Sequence, residues 1–263
     1  MPVAKIDDQD LMALIRYEGL KHLDVFKTQS TLVKMIRKFE ALKQKDPVVA
    51  YTYLGIVESY RNNTDLALEY LERAKKIAPN EIVVLNNLAK TYENGGLYVQ
   101  AKSTYLNILE INPLEGNSLS CAVTLSHYYF DVDFFSKLEK INSQLCQWHQ
   151  GLINLYNFLR EVDFNFDIYR VQISIALKVI NKYLSSNSST VNRYFNMDGN
   201  YLVSMLELKN VTIDALDQIR NEYEQEIYTY ALKQSDGGFE FYDQLGRSVI
   251  DFTFTPNGVG NEM

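Results

Sequence analysis

Cysteine is nearly missing from this 263-residue chain: there are two, Cys121 and Cys146, with no C-x-x-C pair and no histidine cluster beside them. That excludes a disulfide framework and a zinc site of ordinary ligand spacing, and leaves both thiols as reduced, packed side chains. Long apolar runs are missing too. No stretch approaches the roughly 18 apolar residues that a membrane helix requires, and the first ten residues carry Asp7, Asp8 and Asp10 but no apolar core of secretory length. The expected location is cytoplasmic. Histidine is limited to His22, His127 and His149, none of them near a glycine-flanked Ser or Cys, so acid–base and nucleophilic catalysis have few candidates. Walker-type and dinucleotide glycine patterns are absent. These gaps predict a protein without cofactor or metal, and not an enzyme.

Positive charge is also short: 26 Lys and Arg face 33 Asp and Glu, for a net charge of -7. Residues 1–115 hold 15 of each sign, and residues 116–263 hold the remaining 11 basic and 18 acidic side chains. A surface that neutralises phosphates concentrates basic residues, so the acidic part argues against a nucleic-acid interface. One local exception runs from Lys27 to Lys45, where Lys34, Arg37, Lys38, Lys43 and Lys45 are opposed mainly by Glu40; such a stretch reads as a solvated helix face. With 46% apolar and 22% charged residues, the chain has the means to fold and bury a core.

Self-similarity organises the first half. Segments 48–81 and 82–115 align without a gap at a spacing of 34, matching Tyr51 to Leu85, Leu54 to Leu88, Gly55 to Ala89, Ala67 to Ala101, Leu71 to Tyr105 and Pro79 to Pro113. Leu54 and Leu88 read as inward knobs of a first helix, with Gly55 and Ala89 small enough to admit a second helix closely. Ala67, Ala74 and Ala101 mark the same contact from the other side, and Leu71 and Tyr105 fill the space between hairpins. The prolines end each second helix. Asn62, Asn63 and Thr64, with Thr64 as N-cap, and Asn94, Gly95 and Gly96 provide the turns.

This pattern resembles the tetratricopeptide repeat family, with departures at Glu58, where the family has Tyr as at Tyr92, and at Ile108, where it has a second Ala. The resemblance implies that first helices line a concave groove holding a protein or peptide partner. The family's groove positions fall on Val49, Thr52, Ile56 and Tyr60 in the first unit and on Asn86, Lys90, Glu93 and Asn94 in the second. Asn86 suits a peptide backbone and Lys90 a carboxylate, but Thr52 and Ile56 depart from the Lys and Asn of carboxylate-clamp members. Two repeats need neighbours to bury their faces. Helices at 11–24 and 31–45 upstream, and at 118–130 and 133–147 downstream, read as degenerate caps rather than repeats, since Phe135 and Glu139 break the signature. So short a solenoid can also have its groove filled by its own second half.

Beyond a closing helix at about 146–160 the pattern changes. Val162, Phe164 and Phe166 alternate as a strand over 161–167, and 169–184 returns to helical spacing. After a polar loop at 185–190, strands at 191–197 and 201–208 meet at Asp198-Gly199. A helix over 213–232 and a strand over 249–254 follow. The expected fold class is therefore α+β: a helical solenoid over 1–150, a smaller α/β sandwich over 151–255 whose element order suits a ferredoxin-like arrangement, and a frayed tail at 256–263. A wholly helical continuation is the competing reading, opposed by Asp198-Gly199 and Gly237-Gly238. Asp163, Asn165 and Asp167 imitate the start of a calcium loop, but Ile168 and Ser174 stand where its Gly and Glu belong. Phe164, Phe166 and Tyr201 lack the basic setting of an RNA-stacking platform. The leading function is a protein-interaction adaptor. The alternatives are a regulatory or immunity-like protein whose acidic run Asp214, Asp217, Glu222, Glu224 and Glu226 docks a basic partner, and an enzyme with a polar pocket in 161–255.

Overall fold

The computed structural model describes residues 25–142, 150–184, 192–198, 201–209, 211–234, 245 and 248–255. They fall into two units that divide between Glu161 and Val162. The first holds α1 (Val25–Leu42), α2 (Pro47–Tyr60), α3 (Thr64–Ile77), α4 (Ile82–Asn94), α5 (Tyr98–Ile111), α6 (Gly116–Tyr128), α7 (Val132–Ile141) and α8 (Gln150–Glu161). The second holds α9 (Phe166–Tyr183), β1 (Asn192–Asp198), β2 (Tyr201–Lys209), α10 (Ile213–Lys233) and β3 (Ser248–Thr255). The described chain is thus mostly helical, with a small sheet. The helix expected over 11–24, the loop at 185–190, the Gly237-Gly238 break and the tail at 256–263 lie outside the described residues.

Local sequence explains where the helices of the first unit begin and end. Asp46 accepts a hydrogen bond from the Val49 amide at 3.2 Å, and Pro47 at the first helical position gives up no bond the helix needs. α3 and α5 stop at Ile77 and Ile111, two residues before Pro79 and Pro113. The cap of α3 is Asn63 rather than the expected Thr64, which is the first helical residue.

The 34-residue period is written into the backbone three times. Arg61, Gly95 and Tyr129 close the first helices; Asn62, Gly96 and Phe130 take positive φ of 64°, 70° and 47°; Asn63, Leu97 and Asp131 open the second helices. The same turn bond recurs each time, from Asn63 N to Glu58 O at 2.9 Å, from Leu97 N to Tyr92 O at 2.8 Å and from Asp131 N to Ser126 O at 2.9 Å. The pair α6–α7, expected as a cap, therefore copies the backbone of the two repeats before it. Its signature fades because other contacts replace the small-residue seam. Asp131 caps α7 through the Phe134 amide at 2.8 Å, and it also receives bonds from Tyr98 and from Lys102 on α5, the latter at 2.5 Å. Tyr98 stacks on Tyr129 with ring centroids 4.0 Å apart.

Packing between the helices of a hairpin rests on small side chains. A Cβ added at Gly55 would stand 2.5 Å from the Cγ of Leu71 and 3.2 Å from the Ala67 carbonyl oxygen. Leu54, Leu71, Leu85, Leu88, Ala67, Ala74, Ala89 and Ala101 are all fully buried, and each such leucine contributes about 1.5–3 kcal/mol. Glu58, in the family's Tyr position, is buried with its carboxylate bound by Arg61 at 2.9 Å and Asn63 at 3.3 Å, so it fastens the turn instead of filling space.

The second unit corrects the expected order of elements. Residues 161–167 form no strand: Asn165 accepts bonds from the Asp167 and Ile168 amides, both at 3.1 Å, and starts α9 after Asp163 turns the chain at φ 54°. Capping chemistry wins over the alternation of Val162, Phe164 and Phe166, and the same Asn165 cap explains the calcium-like Asp163, Asn165 and Asp167. Among the described residues the sheet has three strands in the order β1-β2-β3, antiparallel between β1 and β2 and parallel between β2 and β3. A four-stranded ferredoxin-like sandwich does not fit that count. The hairpin expectation holds, with Asp198 paired to Tyr201. Leu202, Ser204, Leu206 and Leu208 of β2 and Ser248, Ile250 and Phe252 of β3 are buried at alternate positions. α9 satisfies the two serines, Tyr169 meeting Ser204 at 3.2 Å and Gln172 donating to the Ser248 carbonyl at 2.9 Å. α10 packs Tyr223 edge-on against Phe252 at 5.3 Å and joins Arg220 to Asp251 at 3.1 Å.

Two stability outcomes follow from these contacts. Gly55→Val should cost about 1–3 kcal/mol through overpacking against Leu71, whereas Gly116→Ala, where nothing lies within 4 Å of the new Cβ, should gain about 0.4–1 kcal/mol; urea midpoints of opposite sign are the readout. Burial works to raise the Asp131 carboxyl's pKa, but Lys102, Tyr98 and the Phe134 amide outweigh it and hold the group below its ordinary value. A depressed folded-state pKa adds stability that is fully present above the unfolded value of about 3.9 and disappears as pH falls through the folded value. Asp131→Ala should accordingly cost about 1–3 kcal/mol at neutral pH, and its deficit against the parent should shrink as unfolding is measured at successively lower pH below about 4.

Candidate functional site

The first helices of the hairpins carry all eight expected partner-binding residues, and the structure separates them into two sets. On α2, Val49 and Thr52 are each 1% exposed, and the Thr52 hydroxyl donates to the Val48 carbonyl at 2.7 Å. They pack within the unit and offer no surface. Ile56 and Tyr60 are partly exposed.

On α4, Asn86, Lys90, Glu93 and Asn94 are partly exposed and drawn into networks with neighbouring helices. The Asn86 Oδ1 accepts a bond from the Ser118 hydroxyl of α6 at 2.5 Å. Glu115 caps α6 by accepting from the Ser118 amide; burial works to raise its pKa, but Ser118, Asn86 and the Asn117 amide lower it on balance. Lys90 donates to Glu93 at 2.8 Å, and the other Glu93 oxygen accepts from the buried Tyr105 hydroxyl of α5 at 3.0 Å. Burial alone would lower the Lys90 pKa, yet the Glu93 carboxylate beside it raises it overall, so the ammonium stays charged. The carboxylate that Lys90 was expected to meet in a ligand is supplied by its own helix. The Asn94 Oδ1 is buried with no hydrogen-bond partner among the described residues.

Sequence reading missed the third hairpin's contribution. Asn117, Ser120 and Thr124 stand 34 residues after Val83, Asn86 and Lys90, and all three are exposed on α6. Extending the repeat period past Glu115 was the signal that would have found them. Cys121 on the same helix lies near Lys90, Glu93 and Tyr105, and burial raises its thiol pKa. His127 sits edge-on to Phe135 with centroids 6.0 Å apart.

The second unit has an open polar cleft of about 450 Å³ between α9 and α10, lined by Lys182, Tyr183, Gln218, Asn221, Glu222, Gln225, Glu226 and Thr229. Its charges answer one another, Lys182 to Glu222 at 2.5 Å and Lys178 to Glu226 at 3.5 Å, while Tyr183 donates to Glu222 at 2.6 Å. Burial and Glu222 push the Tyr183 hydroxyl up to about 12, and the Glu222 carboxyl is held low by Lys182 and Tyr183 against the upward pull of burial. Neither group titrates near neutrality, as a general acid or base would. Two of the five acidic residues in the run on α10, Glu222 and Glu226, are thus neutralised by α9, while Asp214, Asp217 and Glu224 remain exposed. Among the described residues there is no group of three His, Cys, Asp or Glu able to hold a metal, and no helix long and apolar enough to cross a membrane.

No protein-family profile matches the chain. It is 39% identical over 62 residues to a protein of Pyropia yezoensis named uncharacterized protein ycf37. The matched stretch is 24% of this chain and 35% of that protein, so the chain spans about a third of the relative's length. The likeness agrees with helical repeats in part of the chain and names no partner.

Removing Glu93 strips a buried hydroxyl and a part-buried ammonium of their acceptor. Glu93→Ala should therefore destabilise the chain by about 1–3 kcal/mol, and Glu93→Ala with Tyr105→Phe should lose less than the two single changes together, as a double-mutant cycle in chemical denaturation would show.

Proposed function

We propose that the chain is a tetratricopeptide-type scaffold that binds a partner protein or peptide along the first helices of its hairpins, in the cytoplasm and without turnover of its own. The observation that carries this reading is the threefold recurrence of caps, positive-φ turn residues and turn bonds at one spacing. Stacked hairpins of this kind repeat a surface as well as a core, because each period returns the same helix face to the same side. On α4 and α6 that face keeps exposed side chains at one pair of equivalent positions, Val83 with Asn117, and a partly exposed Lys90 matched to the exposed Thr124. The short likeness to ycf37 is consistent with the helical-repeat part of the reading.

Docking of a basic partner on α10 is the second reading, favoured only by Asp214, Asp217 and Glu224, which lie outside the ion pairs to α9. Affinity capture from the native host separates the two. With the full chain as bait, Ser120→Arg with Thr124→Arg should cut recovery of the specific partner about tenfold, a loss of about 1.4 kcal/mol, while Asp214→Asn with Asp217→Asn should leave it unchanged. Recovery that ignores the α6 pair but collapses with the α10 pair, and with added salt, would transfer the function to the acidic helix.

A further inference from the structure

The charges on the α4 and α6 surface are already spent inside the protein. Lys90 is bound to Glu93 at 2.8 Å, Glu93 also holds Tyr105 at 3.0 Å, and Asn86 has its carbonyl oxygen engaged by Ser118. The exposed side chains that carry no ion pair are uncharged: Asn117, Ser120 and Thr124 on successive turns of α6, and the half-exposed Val83 of α4. The hydrogen bond between Asn86 and Ser118 joins α6 to α4, and Asn117, Ser120 and Thr124, three and four residues apart, share one face of α6 and form a strip. Resting on the scaffold reading above, we propose that the strip's occupant is an uncharged, hydrogen-bonding peptide segment within a partner chain, and not an acidic tail or a free C-terminal carboxylate.

The argument is one of electrostatic complementarity. A carboxylate arriving at Lys90 must compete with a carboxylate already in contact, and meets the repulsion of Glu93 as it does so; a cationic side chain meets Lys90 in the same way. Transferring either ion to this surface forfeits hydration without an unpaired counter-charge to offset it. Amide and hydroxyl groups carry no such penalty. Asn117, Ser120 and Thr124 both donate and accept, which matches the alternating N–H and C=O groups of a peptide main chain. Seven residues of helix separate Asn117 from Thr124, a rise of about 10.5 Å, which is the span of about three extended residues.

The test uses a phage library of random linear peptides selected against the full chain, followed by titration of synthetic versions of the enriched sequences. Expected are sequences without a fixed Asp, Glu, Lys or Arg, whose affinity changes less than about twofold between low and high salt and is the same with an amidated C-terminus. Ser120→Arg with Thr124→Arg should weaken them about tenfold, in a variant whose thermal midpoint matches the parent. A fixed charged residue in the enriched set, or loss of binding on amidation, overturns the uncharged occupant while leaving the scaffold reading in place. Enriched peptides that ignore the α6 substitutions, or a library that yields none, overturn both.

Discussion

The approach of α3 to α2 at Gly55 is the constraint on which the first hairpin depends. With 2.5 Å between a would-be Cβ and the Leu71 Cγ, the second helix reaches its place only because the first helix has no side chain there. That closeness buries Leu54, Leu71, Ala67 and Ala74 completely, and burial at this density makes a helix of about fourteen residues hold, where an isolated one is marginal. The turn has to suit the approach as well. Asn62 and Gly96 take positive φ readily, but Phe130 does so at a cost, and its complete burial is what holds it there.

Legibility in the sequence tracked how local the determining interaction was. Helix ends set by Pro79 and Pro113, and the hairpin at Asp198, could be read because one or two residues decide them. The first two repeats were visible because small residues recur at fixed offsets. The third was not, since its seam relies on Phe135 and on a tether from Tyr98 and Lys102 to Asp131, residues that no small-residue pattern contains. Yet the helix starts kept the period, at Ile82 and Gly116 and at Thr64, Tyr98, Val132 and Phe166. Spacing carried information that residue type had lost. The false strand at 161–167 shows the reverse error: alternating apolar residues were counted, and the Asn165 cap that turns them into a helix start was not.

The candidate site was half legible for a related reason. Repeat register placed Asn86, Lys90, Glu93 and Asn94 on one helix surface, and they are there. Register cannot say what a side chain meets on another helix. Ser118 on Asn86 and Tyr105 on Glu93 are contacts between elements 12 to 32 residues apart, and they convert groups expected to bind a ligand into groups that bind the protein itself. Val49 and Thr52 show the same limit, being positions of a groove by register and of a core by burial.

In the proposed scaffold, stability and recognition would compete for the same side chains. An ion pair holds the side chains that it joins but neutralises the surface that it occupies, so one side chain cannot readily tether a neighbour and attract a charged partner too. Here the tethers Glu58–Arg61, Lys90–Glu93–Tyr105 and Lys102–Asp131 take up charged groups in each hairpin, and in the second unit Lys182–Glu222 and Lys178–Glu226 do the same between α9 and α10. On the proposed reading, recognition would fall to groups that carry no structural bond, and on α6 these are an amide and two hydroxyls. Steering by long-range charge is weak for such a surface, so its selectivity must come from short-range fit, where a misplaced hydrogen-bonding group left unpaired costs about 1–3 kcal/mol.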